Sequence, residues 1–345
     1  MTYAKAGVNF NEEADTIKSL VSAVSKTLEF RNNKVGAVKS KIGHFANLIE
    51  FGDKYLVLST DGVGSKVLVA QLIDKYDTVG IDMIAMCVND VICLGAEPIS
   101  LVDYLAMTKT DGKNSQKQAL ELGKGLCEGA RQAEIAIVGG ETATLKEVIN
   151  GIDDKGFDLA GAVLGTVDKD KVVLGDKIKA GDKIIGLASS GIHTNGITLA
   201  RKVLLGNKED IEKYAPQILT PTTIYVKPVL DVLDKCFNDI TGLANITGGG
   251  ILNIARLNDK IGYKIDKWVE IPPIFKTMQE KGNVDNKEMF RTFNMGVGFV
   301  IIAKEADKII DVLKKQGIKA SIIGEAVNEN GIILEEFDVE FKEGY

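Results

Sequence analysis

Short apolar runs bounded by glycine, serine and threonine recur along this chain. In the first half, Tyr55–Ser59, Ile99–Ala106, Ile135–Val138 and Leu159–Val167 read as buried strands. Between them, periodic segments near Ala14–Leu28, Gly80–Leu94 and Ser115–Ala133 predict helices. The second half alternates in the same way. Strands are expected near Lys183–Ala188, Leu243–Ile246, Tyr263–Ile265, Gly296–Ala303 and Ala320–Ile323. Helices are expected near Gly196–Leu204, Thr222–Cys236, Ile251–Leu257 and Lys304–Gln316, with Pro216, Pro221, Pro272 and Pro273 marking loops. The alternation predicts an α/β (α+β) fold. The Asp-, Lys- and Gly-rich segment Asp168–Lys183 predicts a boundary between an N-terminal domain, 1–168, and a C-terminal domain, 169–345. No sequence repeat links the halves.

The segment Gly80–Gly95 is apolar almost all round, so a helix there is expected to be buried. Yet it carries Asp82, Asn89 and Asp90. Residues seven apart lie nearly in line on a helix, so Asp82 and Asn89 share a face and Asp90 sits beside it. A buried, unpaired carboxylate costs several kcal/mol, on the order of the net stability of a domain. A cation is the economical compensation. Asp82 also fits a first-turn residue favoured by the helix dipole. Asp90 lies mid-helix, where that account fails.

Several strands run into glycine turns. Tyr55–Leu58 leads into Thr60-Asp61-Gly62-Val63-Gly64-Ser65-Lys66. Glycines let the backbone approach a ligand and aim successive N–H groups at an anion. Asp61 at a strand end suits Mg²⁺ beside phosphate oxygens, and Lys66 suits their neutralisation. The same stretch also fits a surface turn with an ordinary charge pair. It is neither a Walker A loop nor a G-x-G-x-x-G fingerprint. Further turns are expected at Gly139-Gly140-Glu141-Thr142, at Ser189–Gly196 and at Thr247-Gly248-Gly249-Gly250. A strand, a Gly/Ser/Thr turn and a helix N-terminus together make an anion site. Several such turns, with acidic residues and Lys66, point to a substrate with several phosphates and to Mg²⁺.

Composition narrows the partners. The chain has 345 residues, 45% hydrophobic and 26% charged, in keeping with a soluble protein of two domains. The net charge of −6 gives no nucleic-acid surface. No apolar run reaches the ~20 residues that span a bilayer, and the residues after Met1–Lys5 are polar rather than signal-like. Cys87, Cys93, Cys127 and Cys236 form no C-x-x-C pair; three of them sit in apolar sequence and read as reduced core residues of a cytoplasmic protein. With His44 and His193 the only histidines, oxygen ligands and Mg²⁺ are favoured over a His-rich metal site.

Seven ordered motifs carry a resemblance that spans Tyr3 to about Ile323. They are Asp61–Lys66, Met86–Asp90, Gly95–Pro98, Gly139–Thr142, Ser189–Gly196, Thr247–Gly250 and Met289–Gly296. The chain resembles the phosphoribosylformylglycinamidine cyclo-ligase (aminoimidazole ribonucleotide, AIR, synthetase) family. That family lies in an ATP-binding superfamily with selenophosphate synthetase and formylglycinamidine ribonucleotide synthetase. Four departures stand out. Lys5-Ala6-Gly7-Val8-Asn9 lacks the acids of the family's opening Asp-Ala-Gly-Val-Asp. The glycine-rich loop is reduced to Lys41–Ala46, Thr144-Leu145-Lys146 replaces Glu-Met-Pro, and Asn245 stands where His is usual.

The resemblance implies a homodimer whose N-terminal halves join sheets into a barrel-like core with helices outside, and a C-terminal α/β sandwich. It implies ATP-dependent closure of formylglycinamidine ribonucleotide to AIR, with release of ADP and phosphate, through an iminophosphate. In that scheme Asp61 and Asp90 hold the metal. Lys66, Glu141 and Asn195 are catalytic. Gly62, Gly64, Ser65, Asn89, Gly139 and Gly140 bind ATP and its phosphates. Ser190, Gly191, His193, Asn245, Thr247, Gly248 and Gly249 bind the substrate. Arg291 and Asn294 belong either to the site or to a Phe290–Phe299 stretch that serves packing or the dimer interface. Two other readings remain. One is a related superfamily member phosphorylating a different acceptor; no Cys precedes Cys87 to serve as the reactive residue of a selenophosphate synthetase. The other is a nucleotide-binding scaffold without turnover.

Overall fold

The computed structural model describes residues 10–40 and 42–342. The Lys5–Asn9 departure lies outside the described residues. The first half is built on a five-stranded sheet. Its strands are β1 (Asn47–Phe51), β2 (Lys54–Gly62), β3 (Glu97–Met107), β4 (Ala136–Thr144) and β5 (Phe157–Asp168), in the spatial order β1-β2-β5-β3-β4. Only β3–β4 is a parallel pair. The helices are α1 (Phe10–Val24), α2 (Lys66–Ile73), α3 (Asp77–Ile92) and α4 (Gly112–Ala133).

Alternation along β5 shows which face is covered. Phe157, Leu159, Gly161, Val163, Gly165 and Val167 are buried, while their neighbours are not. Helix α3 lies across this face, touching β2, β3 and β5. It comes so close that a Cβ on Gly161 would sit 2.5 Å from Met83 Sδ. Helix α4 packs on the outside of α3 through glycines: a Cβ on Gly125 would meet the Asp77 carbonyl at 2.1 Å. The opposite face of the sheet is open and presents Leu58, Val102 and Tyr104 to solvent.

The second half holds a seven-stranded sheet. Its strands are β6 (Lys183–Ala188), β7 (Ile240–Asn245), β8 (Gly262–Ile265), β9 (Val297–Ala303), β10 (Ala320–Val327), β11 (Ile332–Leu334) and β12 (Val339–Phe341). Their order is β12-β11-β8-β10-β6-β9-β7. Strand β9, Val-Gly-Phe-Val-Ile-Ile-Ala, is buried at every position, as an unbroken apolar run requires. Around it lie α5 (Ile197–Leu204), α6 (Lys208–Ile218), α7 (Val226–Cys236), α8 (Pro273–Gly282), α9 (Asn286–Thr292) and α10 (Asp307–Lys315). The halves meet where α3 packs against α7 and β7. One continuous apolar core crosses that junction. Among the described residues no helix is long and apolar enough to cross a membrane.

Several sequence expectations need correction. Gly139–Thr142 is not a turn; β4 runs straight through it to Thr144. Helix α3 starts at Asp77, so Asp82 is past the first turn and the helix dipole does not account for it. The expected helix Ile251–Leu257 is a 3₁₀ helix, Gly250–Arg256. The expected helix from Thr222 starts only at Val226, leaving Thr220–Tyr225 without regular secondary structure. Within the chain the five-stranded sheet is open, with β1 and β4 as its edges. Phe290, Phe293 and Asn294 are buried within the second half. Cys87, Cys93 and Cys236 are buried thiols, and Cys127 is exposed.

Candidate active site

Strand β2 and helix α3 bring Asp61 and Asp90 to the junction of the halves. Asp61 stands one residue before the end of β2, and its Oδ1 accepts the Gly62 N–H over 2.7 Å. The Cys87 thiol, one turn before Asp90, donates to the Asp61 and Gly161 carbonyls and ties α3 to both strands. Asp90 Oδ1 accepts from Asn245 Nδ2, at the end of β7, over 2.9 Å. Burial lifts the Asp90 carboxyl to about 7; Asn245 opposes the shift and the Asp61 charge adds to it. Burial also raises Asp61, against the Gly62 N–H. Two partly buried carboxylates, both held above the usual range by burial and one of them further raised by the other's charge, suit a divalent cation. Among the described residues no group of three or more His, Cys, Asp or Glu gathers as a metal cluster. Mg²⁺ does not need one, since it keeps waters and takes phosphate oxygens.

Asp103 was not singled out in the sequence. It registers with Gly161 of β5, which registers with Asp61, so both carboxylates share the face under α3. Its carboxylate lies over Gly140, where a Cβ would meet Oδ1 at 2.1 Å. Burial raises its pKa. The available signal was a carboxylate in an otherwise apolar strand.

Lys66 and Asn89 do not face an open phosphate site. Lys66 is fully buried, with Nζ 2.9 and 2.8 Å from the two Asp82 oxygens and 2.8 Å from the Thr220 carbonyl. Nζ donates hydrogen bonds to Asp82 Oδ1 and to the Thr220 carbonyl, and Asp82 Oδ2 completes the ion pair without a hydrogen bond of its own. Asp82 is thus compensated by a lysine rather than by a metal. Asn89 gives Nδ2 to the Thr223 carbonyl and takes the Tyr225 N–H on Oδ1, both over 2.9 Å. Its amide joins α3 to the second half.

The Gly62–Ser65 turn reaches the second half through Ser65 Oγ, 3.2 Å from Thr198 Oγ1 on α5. Gly64, at φ +62°, has open space where a Cβ would stand. Just before α5, Ser190 is exposed and its Oγ donates to the Pro221 carbonyl over 2.5 Å. Asn294 fixes the Gly191 and Ile192 carbonyls from behind. His193 is buried at φ +63°, and its Nε2 accepts the N–H groups of Ser190 and Thr223. Burial, with the nearby Lys66 charge, pulls its pKa down to about 3. His193 therefore organises this loop as a neutral acceptor. Asn195 lies beside the next turn: a Cβ on Gly248 would be 3.2 Å from its Oδ1. That turn closes through Gly250 N–H to Thr247 O, with Gly249 at φ +91°. Asp61, Asp90, Asn245, the Gly62–Ser65 turn, the Ser190–Asn195 loop and Thr247–Gly249 thus line one junction.

Gly139, Gly140 and Glu141 stand apart from it. They lie on the exposed edge strand β4, and Glu141 registers with Tyr104 on the open sheet face. On the other side, Arg256 Nη2 donates to the Gly43 and His44 carbonyls, and its guanidinium sits 4.1 Å from the Phe45 ring centre. Arg256 also acts on Asp90 through its charge. Arg256 closes the reduced loop onto the second half, a role that sequence spacing did not suggest.

Residues 43–167 match the family described as AIR synthase related protein, N-terminal domain, and residues 179–336 match the corresponding C-terminal domain. The chain belongs to the AIR synthase family. A phosphoribosylformylglycinamidine cyclo-ligase of Methanocaldococcus jannaschii is 51% identical over 338 residues, covering 95% of this chain and 93% of that protein. One from Pyrococcus furiosus is 45% identical over 351 residues, covering 99% of each. Among solved structures, AaThiL complexed with AMPPCP and TMP superposes with a TM-score of 0.64 at 18% identity, over 94% of this chain and 95% of that one. T. maritima PurL complexed with FGAR gives 0.61 at 15% identity, over 92% of this chain and 49% of that one. At these identities the structures speak for the fold alone.

Proposed function

We infer that this member of the AIR synthase family is a phosphoribosylformylglycinamidine cyclo-ligase. It converts formylglycinamidine ribonucleotide and ATP to 5-aminoimidazole ribonucleotide, ADP and phosphate. The observation that carries the site assignment is the Asp61–Asp90 pair, held by Asn245 where three glycine- and serine-rich segments of both halves converge.

A formamide carbonyl is a poor electrophile and its oxygen a poor leaving group. Transfer of the ATP γ-phosphoryl to that oxygen gives an iminophosphate, from which phosphate leaves when the amidine nitrogen attacks and closes the ring. Catalysis is then largely positioning and charge neutralisation. We assign residues 1–168 to ATP and 169–345 to the substrate. The backbone of Gly62, Gly64 and Ser65 faces the phosphates. Asp61 and Asp90 are the residues that would hold Mg²⁺, which when bound neutralises phosphate charge. Ser190, Gly191, Asn195, Thr247, Gly248 and Gly249 receive the ribonucleotide. Asn245 keeps Asp90 in place. Glu141 and the β4 glycines are left outside this set, as are Lys66, Asn89 and His193, whose polar atoms are engaged within the protein. We further propose that the open sheet face pairs with a second copy.

Purified protein, Mg²⁺, ATP and formylglycinamidine ribonucleotide should release ADP and an aminoimidazole in equal amounts. Release of ADP without aminoimidazole would mean a different acceptor. ATP binding with neither product would mean a scaffold.

A further inference from the structure

Thr220–Tyr225 has no regular secondary structure, yet five of its six residues are gripped through named polar contacts. From the first half, Lys66 Nζ donates to the Thr220 carbonyl over 2.8 Å, and Asp82 Oδ1 accepts from both the N–H and the hydroxyl of Thr222 over 2.7 Å. Asn89 holds Thr223 O and Tyr225 N. From the second half, Ser190 Oγ reaches Pro221 O and His193 Nε2 takes the Thr223 N–H. The segment is a strap with α2 and α3 on one side and the Ser190–His193 loop on the other.

The Lys66–Asp82 pair is fully buried on both sides. Such pairs contribute little net stability relative to apolar residues of the same size, because desolvation offsets attraction. What a buried pair does supply is a fixed geometry. We propose that Lys66 and Asp82 are positioning residues for the cyclisation: by gripping Thr220 and Thr222 they set the Ser190–Asn195 loop, and the substrate it receives, against Asp61 and Asp90. The inference rests on the assignment of that loop to the substrate. Neither Lys66 nor Asp82 reaches the protein surface.

A positioning role and a phosphate-binding role differ in what they move. Misplacement by ~1 Å costs up to about a hundredfold in rate, whereas a lost phosphate contact weakens nucleotide binding. Lys66→Met should lower kcat/KM for formylglycinamidine ribonucleotide at least tenfold, with the Kd for ADP, read by calorimetry, within twofold of the parent. Lys66→Met/Asp82→Asn, which removes the stranded charge, should be no worse than Lys66→Met. Thr222→Val keeps the backbone bond to Asp82 but loses the hydroxyl bond; it should raise the substrate KM about threefold with ADP binding unchanged. It also serves if Lys66→Met does not fold. A loss of ADP affinity in Lys66→Met, or an unchanged substrate KM in both Thr222→Val and the double variant, overturns the proposal. Asn195→Ala separates the two ideas. If it leaves substrate KM unchanged, the loop assignment has failed; if it raises KM while the strap variants do not, only the strap has.

Discussion

Asn245 and Asp90 face each other across the junction of the two halves, Nδ2 to Oδ1, at 2.9 Å. The amide comes from the end of β7 and the carboxylate from the last turn of α3, not from mid-helix as the sequence pattern suggested. The family's usual residue at the Asn245 position is His, and both can donate one hydrogen bond to a carboxylate. The donor, rather than the base, is what this geometry uses. Asn245→His should therefore retain turnover, while Asn245→Leu should lose roughly 5- to 150-fold, the equivalent of about 1–3 kcal/mol for a partner left unsatisfied. Equal activity of the Leu and Asn forms in the cyclisation assay would remove Asn245 from the site.

Asp90 carries a strained charge. Its carboxyl is lifted to about 7 by burial, with Asp61 adding to the shift. Asp90→Asn keeps the shape and removes the charge. It should abolish Mg²⁺-dependent turnover without lowering the thermal midpoint in Mg²⁺-free buffer near pH 8, where the parent pays for an ionised pair. Mg²⁺ should raise the parent's midpoint by mass action and leave the variant's unmoved. A variant that unfolds, with its surviving fraction fully active, would make Asp90 a structural residue.

How much of this was legible in the sequence depended on whether a residue's partner is local. Many strands and helices followed their own periodicity, and β9, Val297–Ala303, was plain from its apolar run, but α6 runs through Pro216 and α8 begins at Pro273, where prolines had suggested loops. The excess of buried carboxylate in Gly80–Gly95 was also plain, and so was the need for a cation. What could not be read was which cation. Asp82 lies 16 positions from Lys66 and 140 from Thr222, and only the fold makes them neighbours. The same distance hid Arg256, which reaches back more than 200 residues to His44. Gly139-Gly140 misled for a physical reason: glycine marks a turn or a close approach, and here Gly140 is small to admit the Asp103 carboxylate inside a strand.

His193 gives the protein an acid limit. Its pKa falls from 6.5 to about 3 because protonation is opposed by burial and by Lys66. A depressed folded-state value means that the unfolded chain binds the proton more readily, so the stability is full above about 6.5 and is lost as pH falls toward 3. Each unit is worth about 1.4 kcal/mol. His193→Gln offers an acceptor oxygen to the same N–H groups without titrating. It should flatten the decline in denaturant midpoint between pH 6.5 and pH 4 while costing little at pH 8. A decline as steep in the variant as in the parent would place the acid sensitivity elsewhere.

The open face of the first sheet calls for a partner. Leu58 is 47% exposed, Val102 43% and Tyr104 40%, and their register puts Val102 and Tyr104 beside Ala162 and Ala160 on the same side. A contiguous apolar face beside the exposed edge strand β4 is costly in water and invites association. Neither a helix nor a loop of the described chain covers it, because α3 and α4 both lie on the other side. A second copy of the chain would bury like against like, since the patch carries alternating small and large apolar residues. Sedimentation should therefore find a dimer at micromolar concentration. Val102→Lys puts a charge in the centre of the face without touching the α3 side, so it should shift the species to monomer with an unchanged circular dichroism spectrum. A parent protein that sediments as a monomer, or a Val102→Lys form that stays dimeric, would mean that this face is not the contact.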